Sequence, residues 1–419
     1  MIEITMVGID HNSASIEKRE LFSFTSLQAE KLLKQWKKDH GKSACLLLST
    51  CNRTELWVTG ESTKEDLLKL ICSAKELRSA QYEEMFSFRT GNDAINHLLR
   101  LTCGLQSMIQ GEDQILTQVK EALDIAREAN TSDTLIEKLF QTAISAGKKV
   151  KTNVKVDYTN PSLAEKSLLK IKEKYGMLEN LRCLIIGNGL MAQLAANVMT
   201  KEKADVSMTL RKQFHGKIEE SSIRVSGCTM IPYDDRLKEI EKYQIVISAT
   251  RSPHFTVKAE DLSEKEFLDA LWIDMAVPRD LEPKIGKISG IQLLDIDEIG
   301  LCTIGENTLN YSDNFTNEEA AEKILSEYAK DFDAWYEFRR YVDLIKNISA
   351  LVKEDINIRT PKNTSPVCGI DYFQSEILDA SQKSVEKLLF GLKETLPHDL
   401  WKECLVALEH SAKKDTIKT

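Results

Sequence analysis

The sequence predicts a multidomain α/β protein. An N-terminal α+β domain over 1–156 precedes an α/β domain with a doubly wound parallel sheet over 157–305, and a long helix then leads into an all-α domain over 306–419. Three observations predict this. The first part alternates short β-type runs with amphipathic helices. The middle sets a glycine turn between an apolar strand and a helix, and further short apolar strands follow, as expected of strands buried on both faces. The last part has no glycine or proline between Gly305 and Pro361 and repeats apolar residues at helical spacing.

In chain order, Ile4, Val7 and Ile9 mark a first strand. SLQAEKLLKQWKKDHG is a helix with Leu32, Leu33 and Trp36 on one side and Gly41 as its stop. The segments ACLLLST and ELWVTG read as strands flanking Cys51. Three helical stretches follow: NDAINHLLRLTCGLQS, EDQILTQVKEALDIAREA and TLIEKLFQTAISAGKKVKT. The strand-turn-helix RCLIIGNGLMAQLAANVMT opens the middle domain, and ADVSMTLR, CTMIPYD, YQIVISAT, LWIDMAVP and GIQLLDID supply its other strands. Thr316 with Glu319 has the pattern of a capping box. Ala321, Ile324, Tyr328, Phe332, Trp335, Phe338, Val342 and Ile345 then recur at helical spacing, which favours a single strut over two helices broken near Asp343.

With 42% hydrophobic and 29% charged residues, the composition is that of an ordinary globular chain. MIEITMVGID lacks the basic and apolar regions of a signal peptide, and no apolar run reaches membrane-span length. Nine cysteines without a CxxC pair point to reduced thiols in the cytoplasm rather than to a disulfide framework or a zinc site, and no metal is expected. A net charge of −9 gives no global attraction to nucleic acid, so any RNA contact rests on local basic patches. The run Lys148-Lys149-Val150-Lys151, with Lys155 near it, and the pair Arg339-Arg340 lack interleaved aromatics and read as solvated faces.

Two stretches carry chemistry. In the turn Gly187-Asn188-Gly189-Leu190-Met191-Ala192, the first glycine permits a tight turn and the second lets backbone N–H groups approach a pyrophosphate. The helix N-terminus favours the negative charge. This is the Rossmann fingerprint, and Arg211-Lys212 after the second strand suits the 2′-phosphate of NADP better than a bare ribose. The second stretch is LLLSTCNRTELW. A thiol at Cys51 among polar and charged groups is badly placed for packing and well placed for a nucleophile. Arg53 supplies a local cation, suited either to holding a thiolate or to clamping a substrate carboxylate. Cys45 and Cys183 read as packing residues, and spacing alone makes His97 a structural histidine beside an apolar stripe.

Taken together, these blocks resemble the glutamyl-tRNA reductase family. The carrying residues are Ser49-Thr50-Cys51-Asn52-Arg53-Thr54-Glu55, His97-Leu98-Leu99-Arg100, Gly104-Leu105-Gln106-Ser107-Met108 and Gly111-Glu112-Asp113-Gln114-Ile115-Leu116. Gln118-Val119-Lys120, Asp274, Pro278-Arg279-Asp280 and Asp295-Ile296-Asp297 follow. The resemblance implies reduction of glutamyl-tRNA to glutamate-1-semialdehyde by NADPH, through a thioester on Cys51, as the first step of the five-carbon route to porphyrins and haem. It implies a substrate pocket lined by Thr50, Asn52, Arg53, Ser107, Glu112, Asp113, Gln114 and Gln118, with His97 supporting activity. NADPH would lie on the turn from Gly187 to Ala192, with Arg211 at its 2′-phosphate. A homodimer through the C-terminal helices, and a transient complex with the aminotransferase that consumes the aldehyde, are expected by the same analogy.

Overall fold

The computed structural model describes residues 2–41, 43–106, 114–154, 162–210, 225–300, 311–359 and 370–416. These fall into two compact units, Met1–Ala329 and Lys330–Thr419.

The first half of the larger unit runs β1 (Ile4–Asp10), α1 (Ile16–Arg19), α2 (Ser26–His40), β2 (Cys45–Ser49), β3 (Arg53–Thr59), α3 (Lys64–Ser73), β4 (Ser87–Thr90), α4 (Gly91–Thr102), α5 (Gln114–Glu128) and α6 (Thr134–Asn153). Its antiparallel sheet has the order β2-β3-β1-β4. Helix α2 starts where predicted because Thr25 and Gln28 close a reciprocal capping box, and Asp133 caps α6 through the amides of Leu135 and Ile136. All of β1, β2 and β3 is buried except for residues at their ends, because α5 packs on β2 while α4 and α6 pack on the sheet. Strand β4 is mostly exposed and has no apolar run to announce it in the sequence.

The second half runs α7 (Leu163–Tyr175), β5 (Arg182–Ile186), α8 (Leu190–Lys201), β6 (Asp205–Leu210), β7 (Cys228–Pro232), β8 (Ile245–Ser248), β9 (Ala270–Asp274), β10 (Ile291–Leu294) and α9 (Ile296–Gly300). All six strands are parallel, in the order β10-β9-β8-β5-β6-β7. This is the doubly wound arrangement the sequence predicts, with the strand order reversing between β5 and β8. One apolar cluster joins Cys183, Ile185, Met208, Ile247 and Ile273, and Ile16 of α1 belongs to it as well. Polar contacts tie the same two halves together. Arg19 is buried on Asp297 at 2.6 Å, and Arg279 holds Glu20 at 2.6 Å.

A single helix, α10 (Tyr311–Arg359), continues through Asp343, so the strut is unbroken over the described residues. It corrects the capping-box expectation: the helix is already formed at Tyr311, which leaves Thr316 inside it rather than at its start. In the smaller unit α10 packs with α11 (Ile370–Thr395) and α12 (His398–Thr416) around Ile345, Ile348, Leu389, Trp401 and Leu405. Trp401 is fully buried and donates Nε1–H to the Leu389 carbonyl at 3.0 Å. Among the described residues no helix is long and apolar enough to cross a membrane.

Candidate active site

Strands β2 and β3 form a hairpin whose last ladder pair is Ser49 with Thr54. The Thr50 amide continues it by donating to the Arg53 carbonyl at 2.8 Å, so Cys51 and Asn52 are the two residues at the tip. Thr50 Oγ1 accepts the amides of both Asn52 and Arg53 at 3.2 Å, which fixes the tip from inside. The amide of His11, just past the end of β1, donates to the Asn52 carbonyl at 3.0 Å. Cys51 is half-buried and packs against the cluster that contains Ile16 and the parallel-sheet core.

Behind the tip lies a buried polar network. Alternation along β3 puts Arg53, Glu55 and Trp57 on one face of the strand. Glu55 Oε1 takes Arg53 Nη1 at 2.9 Å and His97 Nε2 at 2.8 Å, and Oε2 takes Trp57 Nε1 at 3.2 Å. Gly8 pairs with Glu55 across the β1–β3 ladder, and a Cβ there would lie 2.8 Å from Glu55 Cγ, so the glycine makes room for the carboxylate. Burial alone would raise the Glu55 carboxyl, but the positive charge and hydrogen bonds of His97 and Arg53 outweigh it and bring the pKa down to about 2. Glu55 is therefore an anion at any working pH, and it is the residue that sequence reasoning passed over. The signal was its period-two spacing between Arg53 and Trp57.

The turn around Cys51 is shorter than the segments ACLLLST and ELWVTG suggest. Strand β3 begins at Arg53 and buries the guanidinium to 2% exposure, where it holds Glu55 and also the Gln106 carbonyl. His97, 5% exposed, keeps a structural bond to Glu55, yet its Nδ1 has no partner among the described residues. The same holds for Asn52 Oδ1, Gln106 Oε1 and His11 Nδ1. Burial also pushes the His11 imidazole below its usual pKa. Buried polar atoms are nearly always paired, so these four, on residues hydrogen-bonded to Asn52, Arg53 or Glu55 or belonging to the hairpin itself, are candidates for contact with a polar ligand.

Of the other predicted pocket residues, Gln114 and Gln118 lie one turn apart on α5, both half-buried. Gln114 reaches the sulfur of Met191, so a predicted substrate residue touches the predicted nucleotide turn. Ser107, Glu112, Asp113 and Arg211 lie outside the described residues, as do Lys155 and Lys212.

The glycine turn follows β5 at the point of strand-order reversal. Gly187 has φ +119°, and a Cβ on it would meet the Ala249 carbonyl at 2.5 Å. A Cβ on Gly189 would meet nothing within 4 Å, and among the described residues no side chain caps α8, which leaves room at the start of its first turn. Asn188 is half-buried, Leu190 exposed and Ala192 buried. These features fit a dinucleotide pyrophosphate. Gly187→Ala is expected to weaken nicotinamide-dinucleotide binding by about tenfold or more through backbone strain and the clash, and to lower the thermal midpoint. Cofactor fluorescence titration and a melt measure the two effects.

Comparisons with known proteins come from both halves. The glutamyl-tRNAGlu reductase N-terminal domain family matches residues 7–154, and the shikimate/quinate 5-dehydrogenase family matches 169–301. A glutamyl-tRNA reductase of Acetivibrio thermocellus is 37% identical over 341 residues, covering 81% of this chain and 98% of its own. That of Alkaliphilus oremlandii is 36% identical over 344 residues, with 81% and 98% coverage. That of Clostridium novyi is 27% identical across 99% of this chain and 97% of its own.

Proposed function

The chain belongs to the glutamyl-tRNA reductase family, and on that premise we propose that it reduces glutamyl-tRNA to glutamate-1-semialdehyde with NADPH and releases the tRNA. This is the first step of the five-carbon route to porphyrins. The observation that carries the reading is the hairpin tip: Cys51 sits there with a buried network behind it, and His11, Asn52, His97 and Gln106 each keep a buried polar atom without a partner among the described residues.

The Cys51 thiolate attacks the ester carbonyl, the bond from that carbon to the ribose oxygen breaks, and a glutamyl thioester remains. The ribose oxygen leaves as a hydroxyl after gaining a proton. An oxygen ester resists hydride; a thioester, less stabilised by resonance, accepts it, so covalent catalysis divides one hard step into two easier ones. The dinucleotide, when bound, supplies the hydride. Expulsion of the Cys51 thiolate from the resulting thiohemiacetal frees the aldehyde. With His97 Nε2 tied to Glu55, Nδ1 is the nitrogen left to polarise the reacting carbonyl. Arg53 reaches the substrate carboxylate by exchanging the Gln106 carbonyl for a charge-assisted partner. Thr50, Asn52, Ser107, Glu112, Asp113, Gln114 and Gln118 line the pocket, and Arg211 meets the 2′-phosphate that selects NADPH.

The functional division is 1–156 for the substrate, 157–305 for NADPH and 306–419 for homodimerisation. Ile377 and Leu388, exposed on α11, support the last of these. A transient complex with the aminotransferase that takes the aldehyde, and action in the cytoplasm, complete the reading. The test is to incubate the wild-type chain with glutamyl-tRNA carrying labelled glutamate, without NADPH, and to map the adduct by mass spectrometry. Label is expected on Cys51; no adduct, or label confined to another residue, rejects the mechanism.

A further inference from the structure

We propose that Asp280 is a positioning residue for the nicotinamide side of the cofactor crevice, acting through the loop 249–256 that follows β8. The inference rests on the reading that the chain binds a nicotinamide dinucleotide, and assigns a role to a buried carboxylate outside the network around Cys51.

In a doubly wound sheet the cofactor lies beyond the carboxyl ends of the strands where their order reverses, here between β5 and β8. The loop after β8 is one wall of that crevice. Its first residue presses on the glycine turn, since the Ala249 carbonyl is what excludes a Cβ from Gly187. Residues 249–256 form neither helix nor strand. The Ala249 amide rests on the Ile186 carbonyl of β5 and Arg236 Nε holds the Thr256 carbonyl, both at 2.9 Å, and Asp280 adds contacts at both ends of the loop. Its Oδ2 accepts from Ser248 Oγ at 2.8 Å and from the Thr250 amide at 2.7 Å, and its Oδ1 accepts from Thr250 Oγ1 at 2.5 Å. Its own carbonyl takes the amides of Thr256 at 2.6 Å and Val257 at 3.2 Å. Thr250 Oγ1 passes the constraint on by accepting the Ser252 amide at 3.0 Å.

The neighbours of Asp280 anchor it in turn. The Leu281 amide is bound by Asp274 at 2.7 Å, and the Arg279 guanidinium grips Glu20 from the other half of the unit. One three-residue segment therefore fixes the crevice wall, the end of β9 and the docking of the thiol-bearing half. Asp280 is fully buried, and burial is costly for a carboxylate unless donors surround it. Here the donors come from the loop beside the glycine turn, so the geometry it secures is that of the wall a nicotinamide ring would face. An amide in its place would turn an N–H toward donors, leaving at least one of them unpaired.

The experiment measures the NADPH dissociation constant by cofactor fluorescence for the wild type, Asp280→Asn and Thr250→Val. Thioester formation from glutamyl-tRNA without NADPH, and thermal melts, are measured alongside. Both variants are expected to raise the dissociation constant at least tenfold while thioester formation stays within twofold of wild type. Unchanged NADPH affinity in both variants overturns the proposal, as does a parallel loss of thioester formation, which would mark a general structural role. Should Asp280→Asn not fold, Thr250→Val decides the matter alone. A wild type that binds neither NADPH nor NADH defeats the underlying cofactor reading, and this proposal with it; a wild type that binds NADPH beside variants that bind equally well defeats the proposal only.

Discussion

Cys51→Ser is expected to eliminate the glutamyl adduct and to lower semialdehyde formation by roughly a thousandfold or more, because the hydroxyl is a far weaker nucleophile at neutral pH and its acyl product is an ordinary ester that resists hydride. The substitution removes little packing, since the residue sits half-exposed at a hairpin tip whose geometry is set by Thr50 rather than by the thiol. The thermal midpoint and NADPH affinity should therefore match wild type, which separates a chemical defect from a folding defect. Four of the other thiols make poor substitutes. Burial pushes Cys45 and Cys183 well above the usual thiol range, Cys103 up to about 12 and Cys228 to about 11, so all four stay protonated at working pH. Quantifying trapped adduct and aldehyde in single turnovers checks the prediction; aldehyde formation at the wild-type rate would show that the sulfur is not the acceptor.

The parallel sheet was legible because its cause is local: near-continuous apolar strands, a glycine turn and a helix start all lie within RCLIIGNGLMAQLAANVMT. The hairpin around Cys51 was legible in outline for a related reason, since LLLS and ELWV are apolar. The sequence reading nevertheless began the second strand two residues too late. Arg53 and Thr54 belong to β3, and their polar side chains are satisfied by groups far along the chain, the Gln106 carbonyl for Arg53 and the Phe22 carbonyl for Thr54. No local pattern reveals such partners. His97 shows the same limit from the other side. Its spacing on α4 matches a packing position, and only the tertiary fold shows that the packing partner is a carboxylate and that the second ring nitrogen has no partner among the described residues. The extent of α10 was similarly half-legible: absence of glycine and proline announced a long helix, while the capping pattern at Thr316 pointed to a later start than the backbone adopts.

Glu55 provides the second large effect, and it divides stability from catalysis. Its carboxylate is the common partner of Arg53, His97 and Trp57, so Glu55→Gln leaves a buried guanidinium with only the more distant Asp10 carboxylate, at 3.8 Å, and presents an N–H where three donors converge. Breaking a buried pair in this way costs about 3 kcal/mol or more. Activity should fall further, by about a hundredfold at temperatures where the variant is still folded, because the group that orients the imidazole is lost. Acid unfolding supplies an independent check. A carboxyl whose folded pKa of about 2 lies below its ordinary value contributes stability that is fully present above the ordinary value and is lost as pH falls toward 2. Wild type should accordingly lose stability between about pH 4.5 and 2 with a component that Glu55→Gln lacks, so the two denaturation midpoints converge on acidification. Urea melts across that range measure the convergence. A gap between the two proteins that stays constant from neutral pH to 2 would mean that Glu55 is not an anion in the folded state, and His97 would then have no fixed negative charge at Nε2.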